Sequence, residues 1–128
     1  PQTWPHLTPT AIADFAGRPY ASVAQTVLGG LIDGEIPMTA LTGMVERAYA
    51  TFRHPAVCPL VQIGDNLFVL ELFHGPTLAF KDVAMQILGQ LMDHVLAARG
   101  ARATIVGATS GDTGSAAVEA FRGLSQVD

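Results

Sequence analysis

The sequence predicts an α/β fold, in which a helical N-terminal segment leads into the beginning of a parallel sheet. Residues 1–57 carry apolar side chains at spacings of three and four, which is typical of packed helices. From residue 58 onward, short β-favourable runs alternate with longer helical stretches, as they do in parallel sheets covered by helices. We therefore expect a helical region over 1–57 and the beginning of an α/β domain over 58–128. Because the chain has no initiator Met, we interpret it as part of a longer protein.

The composition predicts a folded protein and argues against two kinds of partner. With 49% hydrophobic and 14% charged residues, the chain is too apolar for a disordered segment. Its net charge of -4 argues against a nucleic-acid-binding surface. No apolar run approaches the roughly 20 residues of a membrane span. A single cysteine, Cys58, permits no internal disulfide and is typical of a reducing cytoplasm, where we expect the protein to act.

Three helices are predicted in the first half of the chain. Apolar residues recur at helical spacing over 20–31 and 41–52. Residues 10–15 are a candidate for another short helix, with Pro9 near its first turn. Gly34 is expected to close the second helix, and His54-Pro55 to end the third. This half shows no catalytic arrangement, so we interpret it as a helical layer built for packing.

The second half is predicted to contain a hairpin, a helix, a strand and another helix. The hairpin strands are expected at Leu60–Ile63 and Leu67–Phe73, joined by the turn residues Gly64-Asp65-Asn66. The later elements are expected over 83–96, 103–106 and 112–121. Ligands of parallel α/β sheets bind where strands end and helices begin. We expect the segments that contain Lys81 and residues 109–114 to lie at such junctions.

Lys81 is placed at the start of a predicted helix. The helix dipole disfavours a cation there and so favours a neutral amine. The apolar residues Leu78, Ala79 and Phe80 add desolvation in the same direction. A neutral amine is what a Schiff base to an aldehyde requires. From the local sequence alone, a solvated lysine whose stem covers apolar surface explains the position equally well.

The segment Thr109-Ser110-Gly111-Asp112-Thr113-Gly114 indicates an anion-binding turn. Its two glycines permit close approach of the backbone to a ligand, and its hydroxyls can turn toward that ligand. The free N–H groups of the following helix favour an anion, whether phosphate or carboxylate. The spacing matches neither a P-loop nor the dinucleotide fingerprint. A simple helix N-cap by Ser110 or Asp112 remains an alternative explanation.

Histidine gives weaker signals in this chain. His74 precedes Gly75-Pro76 at the end of a predicted strand and could line a pocket, although an isolated histidine is more often structural. The other histidines share no metal-ligand spacing, and there is no Cys/His cluster. We therefore predict no metal site.

Two motifs resemble signatures of the threonine synthase family. The residues HGPTLAFKD, from His74 to Asp82, resemble its cofactor-lysine motif, and ATSGDTG, from Ala108 to Gly114, resembles its second signature. Gly34-Glu35-Ile36-Pro37 is similar to a stretch in the helical N-terminal region of bacterial and fungal members. The resemblance runs from about Thr10 to Leu124. It implies that residues 58–128 begin a fold-type II pyridoxal-phosphate domain, because the shorter core Pro-Thr-x-x-Phe-Lys-Asp is shared by that wider group.

The resemblance also implies roles for individual residues. Lys81 would carry pyridoxal 5'-phosphate as a Schiff base and later move protons as acid and base, with Phe80 packed close to the cofactor. Asp112 occupies a place near the cofactor's phenolic oxygen where many relatives have asparagine. A carboxylate beside two anionic groups is costly, so Asp112 either shares a proton or turns away and caps the helix. The substrate's α-carboxylate is expected on the loop residues Thr109, Ser110, Gly111 and Thr113, with His74 facing the same pocket.

The implied reaction converts O-phospho-L-homoserine and water to L-threonine and phosphate, a lyase step of threonine biosynthesis. In this family the glycine-rich loop that grips the cofactor phosphate comes later in the chain. The remainder of the chain is therefore an expected partner, and these 128 residues alone are expected to be inactive. Two alternatives stay open, namely another fold-type II lyase, such as a serine/threonine dehydratase or a cysteine synthase, and a non-catalytic α/β interaction module.

Overall fold

The computed structural model describes residues 4–128 and contains five helices and one hairpin in that range. The elements in chain order are α1 (Pro9–Ala13), α2 (Tyr20–Ile32), α3 (Met38–Tyr49), β1 (Leu60–Gly64), β2 (Leu67–Leu70), α4 (Asp82–Ala98) and α5 (Asp112–Phe121). All five helices were predicted, and the predicted hairpin is confirmed. Within the described range, no helix combines the length and apolarity needed to cross a membrane.

The ends of the second and third helices differ from the prediction. Asp33, with φ 53°, is the left-handed residue that ends α2, and Gly34 follows it with φ 80°. The third helix ends at Tyr49, before the predicted residue 52. Its carbonyls are satisfied locally, because Thr51 Oγ1 donates to Ala48 O at 2.8 Å. The chain then leaves the helix axis to pack against the loop that contains His74.

One hydrophobic core joins the helical region to the first α/β helix. Leu41, Met44, Val45 and Ala48 project from one face of α3 and are almost completely buried. Ile87 of α4 packs into the same cluster. Burial of side chains of this size contributes about 1.5–3 kcal/mol each. The core therefore holds α4, and the loop that precedes it, against the N-terminal helices.

The hairpin is antiparallel, with Leu60 opposite Leu70. Asn66 takes a positive φ of 55° in the turn between the strands. The second strand ends at Leu70 instead of the predicted Phe73. Glu71 N still donates to Pro59 O at 2.9 Å, but proline has no N–H with which to return a bond, so the ladder stops. The side chains of both strands are exposed.

The prediction of a strand over 103–106 is wrong as a continuous ladder. Ala103 forms a single parallel bridge to Val127. Ala103 N donates to Gln126 O at 3.0 Å, and Ile105 N donates to Asp128 O at 3.0 Å. Among the described residues only 126–128 pair with this segment, so it is an extended stretch rather than a strand. The direction of the bridge is nevertheless parallel, as the predicted sheet requires.

Helices α4 and α5 run in the same direction. Gly89 of α4 lies so close to Ala120 of α5 that an added Cβ would stand 2.5 Å from the Ala120 carbonyl oxygen. Further along α4, Asp93 Oδ1 accepts from Gln126 N at 2.8 Å, and Gln126 follows the end of α5. Later residues of α4 thus contact residues later than Ala120. The parallel bridge of the segments that follow the two helices agrees with this direction. The N-terminal ends of α4 and α5 therefore lie on the same side of the molecule.

The first testable prediction concerns the close packing at Gly89. A Gly89→Ala change should lower the free energy of unfolding of the full-length protein by about 1–3 kcal/mol, because the Ala120 backbone must move to admit the methyl group. Urea unfolding monitored by circular dichroism measures this change. Gly43→Ala in α3 is the matched control, since its methyl group meets only the end of the Arg47 side chain. Equal stability of the two variants would contradict this helix contact.

Candidate functional site

Lys81 is the only lysine of the sequence and stands at the N-cap position of α4, with φ -63° and ψ -22°. Its side chain is partly buried, and Nζ lies 4.1 Å from the centroid of the Phe80 ring. The Phe80 side chain is itself 57% exposed. Within residues 4–128, the Lys81 amine has neither a hydrogen bond nor an ion pair. A primary amine beside an exposed aromatic face is thus open to a reaction partner.

The carboxylate of Asp82 is completely buried directly behind Lys81. Its exposed fraction is 0%, which is unusual for aspartate. Oδ2 accepts from the Thr77 backbone N–H at 2.8 Å, and Oδ1 accepts from the Thr77 hydroxyl at 2.7 Å. Among residues 4–128 no cation pairs with Asp82. Both carboxylate oxygens therefore stabilise the loop that leads to Lys81.

The loop between His74 and Lys81 has two further restraints. Gly75 is buried, and an added Cβ would collide with the Asp82 carboxylate, so glycine is required at this close approach. Leu78 adopts φ 66°, the left-handed conformation that is uncommon for a non-glycine residue. The surrounding contacts must stabilise this conformation, because it costs about 1–3 kcal/mol. The loop therefore has a specific conformation that its contacts maintain.

His74 is held by its own neighbours. Its Nε2 lies 2.7 Å from Glu71 Oε2, and its ring packs 5.1 Å from the His54 ring and 4.7 Å from the Phe73 ring, centroid to centroid. The His74 carbonyl accepts from Arg53 N at 2.8 Å, which ties the loop to the end of the N-terminal helices. These contacts give His74 a structural part in the loop, and a role toward substrate stays a prediction.

The second predicted segment forms an open turn at the start of α5. Thr109 Oγ1 accepts from the backbone N–H groups of Gly111 at 3.3 Å and Gly114 at 3.1 Å. Gly111 is the N-cap residue and adopts φ 146°, which only glycine takes readily. No acceptor among residues 4–128 satisfies the backbone N–H groups of Ser110, Asp112 or Thr113. Three unpaired donors at an exposed helix start are suited to an anion.

The alternative of a conventional N-cap by Ser110 or Asp112 is wrong. Neither side chain caps α5, because the cap position is occupied by Gly111 and the capping oxygen belongs to Thr109. Asp112 is the first helical residue, and its exposed side chain makes no hydrogen bond within the described part of the chain. Of the two possibilities for Asp112, capping of the helix is therefore excluded here.

The two segments approach the same side of the molecule from different helices. Lys81 begins α4 and Asp112 begins α5, and the parallel packing of these helices brings both N-terminal ends to one side. A cleft of about 520 Å³ opens beside the turn, and its wall includes Gly107, Thr109 and Gly114. Lys81 does not line this cleft. Within residues 4–128, no group of three or more His, Cys, Asp or Glu side chains is placed to bind a metal ion.

Sequence reasoning missed the contact of Thr77 and Gly75 with Asp82. The spacing Gly-x-Thr-x-x-x-x-Asp was the available signal, since a buried carboxylate needs donors and close packing nearby. Sequence reasoning also missed the pair of Tyr20 and Tyr49, whose rings meet edge to face at 4.9 Å. Burial raises the pKa of both phenols. The pair joins the start of α2 to the end of α3, and the Tyr49 hydroxyl donates to Val83 O at 3.3 Å in the first turn of α4.

Known proteins that match the whole chain include threonine synthases. A family model described as the threonine synthase N terminus matches residues 1–49. The threonine synthase of Pseudomonas aeruginosa is 51% identical over 128 residues, which cover 100% of this chain and 27% of that relative. That of Haemophilus influenzae is 45% identical over 130 residues, covering 100% of this chain and 28% of the relative.

Solved structures agree with these sequence matches. The crystal structure of PLP-bound threonine synthase from Brucella melitensis superposes with a TM-score of 0.97 at 61% identity. The yeast enzyme superposes with a TM-score of 0.93 at 41% identity. Each match covers 100% of this chain and 28% of the solved chain. The chain therefore spans little more than a quarter of the length of these relatives.

The second testable prediction concerns the hydroxyl of Thr109. Thr109→Val removes the acceptor of two backbone N–H groups, a loss worth about 1 kcal/mol at a helix start. Amide hydrogen exchange in the peptide that spans 109–115 of the full-length protein should accelerate roughly fivefold. Thr109→Ser keeps the oxygen and should exchange at the wild-type rate. Identical exchange in Thr109→Val would show that this oxygen does not hold the turn.

Proposed function

We infer that this chain, which belongs to the threonine synthase family and corresponds to the N-terminal portion of its members, contributes the cofactor-binding lysine of a threonine synthase. The proposed reaction is the conversion of O-phospho-L-homoserine and water to L-threonine and phosphate. The carrying observation is that, among residues 4–128, nothing pairs with the Lys81 amine at the start of α4 or with the N–H groups of Ser110, Asp112 and Thr113 at the start of α5, which we place on the same side. The single free cysteine supports a reducing compartment, and we propose the cytoplasm.

The residues of the site fit pyridoxal 5'-phosphate at its aldehyde end. Lys81 supplies the primary amine that holds an aldehyde, and Phe80 presents an exposed apolar ring beside it. When bound, this cofactor serves as an electron sink that acidifies the protons of an amino-acid substrate. These residues provide the amine and ring contacts only. We propose that the rest of the protein supplies the grip on the cofactor phosphate.

The turn before α5 is proposed to receive the substrate's α-carboxylate. The N–H groups of Ser110, Asp112 and Thr113 have no acceptor within the described residues and lie at the positive end of the helix. Gly111 permits the backbone to approach the ligand, and Thr109 keeps the turn in shape. The exposed Asp112 carboxylate would meet an anionic substrate only at an electrostatic cost, so we propose that it shares a proton there.

Lys81 is proposed to move protons once the substrate has released it. Its Nζ, when neutral, takes a proton from the substrate's carbon and returns one in a later step, so one amine serves as base and as acid. The ring of Phe80 limits the directions that Nζ can take. His74, which pairs with Glu71, helps to shape the loop that leads to Lys81.

The two alternatives predict different behaviour of the full-length protein. Release of phosphate from O-phospho-L-homoserine supports threonine synthase. Turnover of serine or O-acetylserine in its place would support another fold-type II lyase. The match to threonine synthases over the whole chain favours the first. An interaction module would tolerate Lys81→Ala without loss of any function.

The third testable prediction identifies the reactive lysine. Full-length protein incubated with pyridoxal 5'-phosphate and reduced with borohydride should carry a pyridoxyl group on Lys81. A modified lysine resists trypsin, so one peptide over 54–99 should replace the two peptides that end and begin at residues 81 and 82. Lys81→Arg keeps the positive charge, lacks the amine nucleophile and should lose the tag. A tag on any other lysine would overturn the assignment.

A further inference from the structure

We propose that Asp82 is a positioning residue, which fixes the direction of the Lys81 amine by clamping Thr77 across the loop that contains it. This inference rests on the proposed function, because it concerns the lysine that is proposed to hold the cofactor. The clamp consists of the two hydrogen bonds from Thr77 to the Asp82 carboxylate and the packing of Gly75 against that carboxylate.

The burial of Asp82 is the first argument. Taking a carboxylate out of water is costly unless hydrogen bonds replace those of the solvent. The exposed fraction is 0%, and Thr77 supplies both donors, one to each oxygen. An acidic residue that served only the dipole of α4 would do so from the surface. The Asp82 carboxylate instead accepts hydrogen bonds from Thr77, which lies earlier in the loop. These bonds therefore restrain the residues between 77 and 82.

The position of Lys81 within the clamp is the second argument. Thr77 and Asp82 are joined side chain to backbone, and Lys81 is the last residue enclosed between them. The loop also contains Leu78 at φ 66°, a conformation that needs outside support. Asp82 N donates to Ala79 O at 3.0 Å, which closes a second ring around the same residues. Hydrogen bonds at both ends of the loop thus restrict the orientations that the Lys81 backbone can take.

The packing of Gly75 is the third argument. No side chain fits at residue 75 without displacing the Asp82 carboxylate. The backbone around Gly75 is anchored in turn, because His74 O accepts from Arg53 N at 2.8 Å. The clamp is thereby continuous with the core built from α3 and α4. Loss of a Thr77 bond should loosen the lysine more than it loosens the fold.

The fourth testable prediction compares rates of cofactor attachment in the full-length protein. Thr77→Val removes the hydroxyl donor and leaves the shape of the side chain. The rate at which the pyridoxyl tag appears on Lys81 should fall about tenfold, as expected for the loss of a hydrogen bond to a charged group. Thr77→Ser should restore the rate. Thr26→Val, the same change on the exposed face of α2, is the matched control and should react like wild type.

A role limited to stability makes a different prediction. In that case tagging would fall only in proportion to the folded fraction, which circular dichroism measures in the same samples. Asp82→Asn provides the second variant. Its amide oxygen can accept from the Thr77 N–H and its NH2 group can donate to the Thr77 hydroxyl, so both contacts survive without the charge and the rate should lie between those of wild type and Thr77→Val. Wild-type tagging rates in folded Thr77→Val would overturn the clamp. Absence of the tag from wild-type Lys81 would instead overturn the proposed function.

Discussion

The close parallel packing of α4 on α5 is the constraint on which the rest of the site depends. Gly89 allows the two helices to approach until the Ala120 backbone leaves no room for a side chain. Because both helices run in one direction, their positive N-terminal ends face the same side. One end carries the amine of Lys81 and the other carries the open turn before Asp112. The contact that sets this arrangement lies about two helical turns from each of the two helix starts.

The chemistry of each helix start follows from how its backbone donors are used. At α4, the Asp82 carboxylate accepts both of its hydrogen bonds from Thr77, which holds the preceding loop together. The Lys81 amine takes no part in these bonds. At α5, Thr109 satisfies two donors, and the neighbouring donors have no acceptor in the described part of the chain. The first end is therefore suited to hold a covalent partner, and the second to receive a charged one. The 17-residue α4 and the 10-residue α5 thus begin in chemically different ways.

The helices were predictable because their signals are local. The bounds of α5, Asp112–Phe121, agree with the prediction, since apolar spacing and a flanking glycine mark them. The extent of pairing over 103–106 could not be predicted, because a strand ladder depends on a partner distant in sequence. Among the described residues, only 126–128 pair with this segment. The clamp around Asp82 could not be inferred from the sequence for another reason. It requires Leu78 in a left-handed conformation, and no glycine marks that turn in the sequence.

The most direct measurement is a crystal structure of the full-length protein with pyridoxal 5'-phosphate and an unreactive amino-acid phosphonate. The account predicts continuous density from Nζ of Lys81 to the cofactor in the absence of the analogue. With the analogue bound, its carboxylate should accept from the free N–H groups at the start of α5. Density joining the cofactor to a different lysine, or a carboxylate bound away from residues 109–113, would contradict the account.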